Sequence, residues 1–380
     1  MKRTIFDGDH DLFRSSVRGF IEREIKPHHD HWVAERIVPR EAWLKAGAQG
    51  LLCMSAPEEY GGAGVEDFRY PAILAEELQR ANCTGPGFGI HSNIVAPYII
   101  RYGTAEQKKR WVPGMVSGDT ILAIGMTEPD AGSDLGAIRT SAIEDGDDYV
   151  VNGAKAFVTN AVNADVIIVS CVTDPEKGQW GISLLAIERG TEGLQVGPPL
   201  AKVGWHAQDT AQVFLNDVVV PQANVIGKPG QGTFLMGKEL NQERLLIAVS
   251  ALAASRAALD WTIAYCKERQ AFGQPIGTFQ NSRFLLAEME TEVTIGQTFL
   301  DRCVMEWNAG SLRADEVAMA KWWATDLQQR TIDRCVQLHG GYGYMAEYPI
   351  AQAWLDMRWT PIGGGTNEIM KEMIGRMMGF

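Results

Sequence analysis

Glu243 and Arg244 stand side by side in Asn241-Gln242-Glu243-Arg244-Leu245-Leu246-Ile247-Ala248, a carboxylate able to take a proton beside a cation able to steady charge. By residue type alone such a pair is usually a solvated helix charge. Met126-Thr127-Glu128-Pro129-Asp130-Ala131-Gly132-Ser133-Asp134 gathers hydroxyls, small residues and backbone N–H groups of the kind that cradle a pyrophosphate or donate to a flavin ring edge, although on composition alone it reads as an ordinary loop. Phe157-Val158-Thr159-Asn160 reads as a strand end with a buried aromatic. Gly341-Tyr342-Gly343-Tyr344-Met345-Ala346 has G-x-G-x-x-A spacing, but a helix rather than a strand precedes it, so it fails as a dinucleotide loop. P-loop, H-E-x-x-H and G-x-S-x-G patterns do not occur, which removes the signatures of ATP use, zinc proteolysis and α/β-hydrolase chemistry. His28, His29 and His31 flank Asp30 after Pro27; they form no i, i+4 pair, so an exposed turn is expected there and no metal site.

The elements that must position these groups come in three blocks. With 380 residues, 46% hydrophobic and 22% charged, the chain can fold as two or three domains. A net charge of −12 argues against a nucleic-acid partner, which needs a concentrated basic surface. Residues 1–120 show helical spacing, as in Leu12, Phe13, Val17, Phe20, Ile21 and Ile25, with Pro27 expected to stop the first helix. Residues 121–226 switch to short β-prone runs, and Asn152-Gly153 between two of them predicts a hairpin turn. Residues 227–380 return to long helices over 239–270, 280–308 and 314–339. The expected fold is therefore α+β: an N-terminal helical domain, a middle antiparallel β-barrel and a C-terminal four-helix bundle. Such segregation excludes a doubly wound parallel sheet. Apolar stretches such as 164–172 are too short to span a bilayer, the start lacks a signal-peptide run, and six cysteines without C-x-x-C spacing read as reduced thiols. A cytoplasmic location is expected.

Taken in order, Thr127-Glu128-Pro129 with Ala131-Gly132-Ser133-Asp134, Asn152 to Asn160, Arg269-Gln270-Ala271-Phe272-Gly273, Gln337 to Tyr344, and Gly365-Thr366-Asn367-Glu368 resemble the acyl-CoA dehydrogenase family over essentially the whole chain. The resemblance implies FAD bound between the β domain and the C-terminal helices. It places Met126, Thr127 and Thr159 at the flavin ring, Ser133 near the pyrophosphate and the substrate's pantetheine, and Phe157 where many relatives stack a tryptophan. It further implies that Arg269, Phe272, Gln280, Gln337 and Gly341 reach the adenosine pyrophosphate of a neighbouring subunit, with Thr366 and Glu368 at the ring end. Such shared sites imply an oligomer, usually a homotetramer.

The family's reaction takes the α-hydrogen as a proton and the β-hydrogen as hydride, giving a trans-2-enoyl-CoA, and it needs a carboxylate in a dry site. Short- and medium-chain members carry that glutamate in Tyr-Glu-Gly-Thr; here the matching residues are Gly363-Gly364-Gly365-Thr366. Long-chain and isovaleryl-type members carry it instead on the first long C-terminal helix, which the resemblance places at Glu243. Leu240, Arg244, Gly363 and Gly364 are then the neighbouring substrate-binding positions, with the Gly364 N–H donating to the thioester oxygen. Long-chain relatives have tyrosine at the position of Gly363. Its loss predicts either a pocket widened for a methyl-branched, citronellyl-type terpenoyl chain or a space filled by another side chain. Electron-transferring flavoprotein is the acceptor the resemblance implies. An acyl-CoA oxidase generally carries a further C-terminal domain, and a non-catalytic acyl-CoA-binding scaffold would not keep Glu243, Thr127 and Thr159, so both are the less expected readings.

Overall fold

The computed structural model describes residues 3–380. Helices come first: α1 (Gly8–Phe20), α2 (Lys26–Glu35), α3 (Arg40–Ala48), α4 (Arg69–Arg80), α5 (Ala96–Tyr102) and α6 (Ala105–Ser117). Pro27 does not stop the first helix. A π-helical turn over Ile21–Ile25 carries the chain from α1 into α2, and the widened turn absorbs the N–H that Pro27 lacks at the start of α2. His28, His29 and His31 therefore lie on a helix, not in an exposed turn. His29 is buried, its Nε2 accepts the Gly85 N–H at 3.1 Å, and burial pushes it down to about 4, so it works as a neutral structural acceptor.

The middle block is a sheet of β1 (Leu122–Gly125), β2 (Ser141–Asp145), β3 (Asp148–Thr159), β4 (Val166–Val172), β5 (Ile182–Glu188), β6 (Leu194–Val196) and β7 (Thr210–Pro221). It is seven-stranded and mixed rather than a closed antiparallel barrel: β4 pairs in parallel with β1 and, at one residue, with β2, and antiparallel with β5, while β6 ends the other side. Asn152-Gly153 is not the predicted hairpin turn. The turn between β2 and β3 lies at Gly146 (φ +62°), and Gly153 sits inside β3 at a register shift against β7. A Cβ on Gly153 would lie 2.4 Å from Thr140 Oγ1, so close backbone approach explains the glycine. Strand β4 is buried from Val166 to Cys171 because alternate residues serve two cores: Val166 and Ile168 pack with α5, α6 and the start of the next long helix, and Ile167, Val169 and Cys171 face the interior of the curled sheet.

The last block holds α7 (Gly232–Glu268), a small hairpin of β8 (Gln270–Ala271) and β9 (Gln274–Pro275), α8 (Gln280–Asn308), α9 (Ala314–His339), α10 (Pro349–Asp356) and α11 (Asn367–Met377). In place of four equal helices, three long ones pack together, and the shorter α10 and α11 lie against α9. α7 is long and apolar enough to cross a membrane by length and composition, but 67% of its most apolar window is buried, as befits a core helix. Its first turns (Leu235, Met236) pack on the sheet, and its middle (Leu245 to Leu259) packs on α4, α8 and α9. Glu243 sits where these two cores meet.

Candidate active site

Glu243 projects from α7 toward the loop before α11. Gly364 holds φ +64°, and a Cβ built there would lie 2.6 Å from Ile247 Cδ1 and 3.4 Å from Glu243 Oε1. The positive φ favours glycine, and the Glu243 carboxylate reaches the spot where a side chain at 364 would begin. Loss of water raises Glu243 to about 7, against a partial opposing pull from Arg244 and Lys321. A carboxylate poised there changes protonation near neutral pH, which suits a general base.

Buried cations hold the loop from behind. Arg244 donates Nε to the Gly364 carbonyl at 3.1 Å and Nη1 to Asn241 Oδ1 at 3.3 Å. Lys321, fully buried on α9, donates Nζ to the Gly365 carbonyl at 2.8 Å and to Asn367 Oδ1 at 3.1 Å; burial and the Arg244 charge push it down to about 8. Thr366 caps α11 by accepting the Ile369 N–H at 3.3 Å. With their carbonyls engaged, Gly364 and Gly365 are fixed in orientation.

A second group lies on the sheet. Thr127 O accepts the Ala156 N–H at 2.8 Å, which sets Met126 and Thr127 beside the end of β3 that carries Phe157 and Thr159. Beneath them Lys155, fully enclosed, donates to Glu128 at 2.7 Å, Ser170 at 3.2 Å and the Met126 carbonyl at 3.4 Å, while Glu128 accepts the Arg139 and Thr140 N–H groups at 2.7 and 3.0 Å. Phe157 is not the buried aromatic expected from its strand: it is 69% exposed at φ +56°, turned outward where the register slips. Ser133 is exposed on the loop, and Met126 and Leu240 pack on one shared core. The Thr127 and Thr159 hydroxyls make no hydrogen bond among the described residues. Free hydroxyls beside apolar Met126 and an outward phenyl ring fit a flat, polar-edged ring such as a flavin.

A third group stands apart. Arg269, Phe272, Gln280, Gln337 and Gly341 are all exposed around the far ends of α7 and α9, with Phe272 96% exposed at φ +51° and Arg269 over the Tyr342 ring at 5.4 Å. At the helical rise they lie about 40 Å along α7 from Glu243, so within one chain they do not join its site. Glu368 is exposed beside the Gly363–Thr366 loop.

A cavity of about 1030 Å³, counted to its open mouth, runs from Ile247 and Trp359 between α4 and α7 to Trp261. Along α7 it follows Leu246, Ile247, Ser250, Ala254 and Trp261, the face that Glu243 begins. At Gly363 a Cβ would lie 2.6 and 2.7 Å from the Trp359 ring. Trp359 in turn stacks on Trp205 at 4.5 Å and 10°.

Family models for acyl-CoA dehydrogenases match the chain as an N-terminal domain at residues 7–119, a middle domain at 123–218 and a C-terminal domain at 230–379. The chain belongs to the acyl-CoA dehydrogenase family. It is 47% identical over 376 residues to the mitochondrial long-chain specific acyl-CoA dehydrogenase of Sus scrofa, covering 98% of this chain and 87% of that protein. The mitochondrial isovaleryl-CoA dehydrogenase of Solanum tuberosum is 33% identical, with 98% and 91% covered. A crystal structure of an acyl-CoA dehydrogenase from Geobacillus kaustophilus superposes with a TM-score of 0.98 at 45% identity, covering 100% of both chains. As a member of this FAD-dependent family, the protein is an oxidoreductase acting on the CH–CH group of acyl-CoA.

The sequence reading gave Lys321 no role in the site and did not single out Trp359. Lys321 carried a signal, since it shares the buried stripe of Val317, Ala324 and Gln328 on α9, and a lysine on such a stripe needs a partner. Trp359 carried none, because its approach to Gly363 depends on the turn between them.

Proposed function

We propose that this dehydrogenase acts on long-chain acyl-CoA, with Glu243 taking the α-proton. The observation that carries this reading is the Glu243 carboxylate, 3.4 Å from the Cβ position of Gly364 and raised to about 7 by loss of water. Thr127, Thr159, Met126 and Phe157 would hold the flavin ring; bound FAD supplies the two-electron acceptor. The chain's own residues exclude water, place the acyl Cα against Glu243 and hold the Gly364 N–H toward the thioester oxygen. Arg244 and Lys321 fix that loop through the Gly364 and Gly365 carbonyls, and their charges favour the enolate-like state formed as the proton leaves.

Trp359 occupies the space next to Gly363, which favours a long chain in the α4–α7 cavity over a citronellyl-type branch beside Cβ. The ratio of kcat/KM for 3-methyl-branched and straight acyl-CoA of equal length tests this, and a strong preference for the branched chain would reverse it. The separation of the Arg269–Phe272 group from Glu243 supports a homotetramer in which one subunit completes the FAD site of another. Electron-transferring flavoprotein as acceptor and a cytoplasmic location complete the proposal, the latter supported by the free, buried state of Cys53, Cys83, Cys171, Cys266, Cys303 and Cys335. A yellow protein that substrate bleaches without air, and that air reoxidises only slowly, is expected; rapid reoxidation would favour an oxidase, and a colourless protein a binding scaffold.

A further inference from the structure

The cavity is lined by apolar residues together with polar ones, Gln79, Asn82, Thr84 and Asn93 on the α4 side and Asp356 and Thr360 near Trp359, and Ser250 and Gln328 open onto it from α7 and α9. Their heights follow from the helix pairing. Arg244 and Lys321 meet at the Gly364–Gly365 carbonyls, and the Tyr265 hydroxyl donates to the His339 carbonyl at 3.2 Å, so α7 and α9 run parallel. Gln328 lies nearly two turns beyond Lys321, as Ser250 does beyond Glu243, which puts both at one level, about 10 Å from the base.

Neither polar group is fully used. Ser255 and Thr262 on the same helix return their hydroxyls to the carbonyls of Ala251 and Ala258, whereas Ser250 makes no hydrogen bond among the described residues. Gln328 is only 4% exposed. Its Oε1 lies 2.7 Å from Thr360 Oγ1, which also lies 2.9 Å from the Met357 carbonyl. Thr360 has one proton to give. If it goes to Met357, the Gln328 amide turns over, donates to Thr360 and leaves its oxygen facing the cavity; otherwise the NH2 faces the cavity. In either arrangement one end of the Gln328 amide has no protein hydrogen bond among the described residues and is left to the cavity. A ligand hydroxyl, both donor and acceptor, satisfies the amide in either orientation and Ser250 as well.

We propose that the cavity takes acyl chains bearing a hydroxyl near mid-chain, held between Ser250 Oγ and the Gln328 amide. This rests on Glu243 as the base, which fixes the position of the α-carbon. The polar level then falls about eight carbons further on, at ~1.3 Å of extended reach per C–C bond.

The test measures kcat/KM of the holoenzyme for octadecanoyl-CoA and for its derivatives hydroxylated between roughly C8 and C12. The wild type is expected to accept at least one hydroxylated chain as well as the plain one. Ser250→Ala and Gln328→Leu should each lower the ratio of hydroxylated to plain kcat/KM by ~10-fold. Rejection of every hydroxylated chain by the wild type, or an unchanged ratio in the variants, would overturn the proposal. Should Gln328→Leu fail to fold, Ser250→Ala carries the comparison. Failure of the underlying reading is separate: it would show as Glu243→Gln turning over both substrates at the wild-type rate.

Discussion

Glu243 stores a conflict between stability and chemistry. Its carboxyl is raised to about 7, so the folded protein holds a proton that the unfolded chain releases nearer the ordinary glutamate value of 4.5. The sign follows: the folded state binds more protons, so this group's stability cost is absent at low pH and grows as pH rises from about 4.5 to 7. Glu243→Gln should therefore stabilise the protein by roughly 1–3 kcal/mol at pH 8, a gain that fades toward pH 5, and thermal melts across that range would show it. The same variant should keep its flavin and lose kcat by about 10²- to 10⁴-fold. In the wild type, kcat/KM should rise through pH 7 as the base ionises; a flat profile from pH 5 to 9 would remove Glu243 from the role.

Among the elements, the Gly363–Thr366 loop and the helices behind it set the geometry of the base. Gly364→Ala combines a positive φ with a Cβ 2.6 Å from Ile247 Cδ1, so a loss of about 1–3 kcal/mol and most of the activity is expected by denaturant unfolding and steady-state assay. Lys321→Met leaves the Gly365 carbonyl without its lysine donor, leaves Asn367 Oδ1 with the Thr325 hydroxyl alone, and takes a cation from beside Glu243. The acid limb of the pH profile should then move upward and kcat fall by ~10-fold or more, whereas a purely structural lysine would lower stability and leave the limb in place. Element-level sequence reading succeeded where the pattern was long: the helices at 280–308 and 314–339 have the bounds expected. It failed where one contact overrode local preference. Asn152-Gly153 is a bulge because β3 passes too close to Thr140 for any side chain, and Pro27 is carried inside a helix by a π turn.

At the scale of the whole molecule, several large apolar side chains of the C-terminal block are exposed. Phe284 and Ile295 on α8 are 57% and 59% exposed, and Phe272 beyond α7 is 96% exposed, an arrangement that costs free energy unless another surface covers it. Phe272→Asp is expected to weaken self-association and FAD retention together while leaving the pH dependence of the remaining activity unchanged. Sedimentation and flavin content would check this, and a variant that stays assembled and fully yellow would count against the shared site.

The sequence by itself determined the block order and the family, because helical periodicity and ordered motifs are local, and its resemblance to the long-chain and isovaleryl-type members singled out Glu243 as the proposed base. Only the tertiary structure decided how dry that carboxylate is, that Trp359 fills the space beside Gly363, that Lys321 and Arg244 grip the loop, and that Ser250 and Gln328 open onto one cavity. Those properties depend on helices far apart in sequence meeting at one level, and no local pattern encodes that distance.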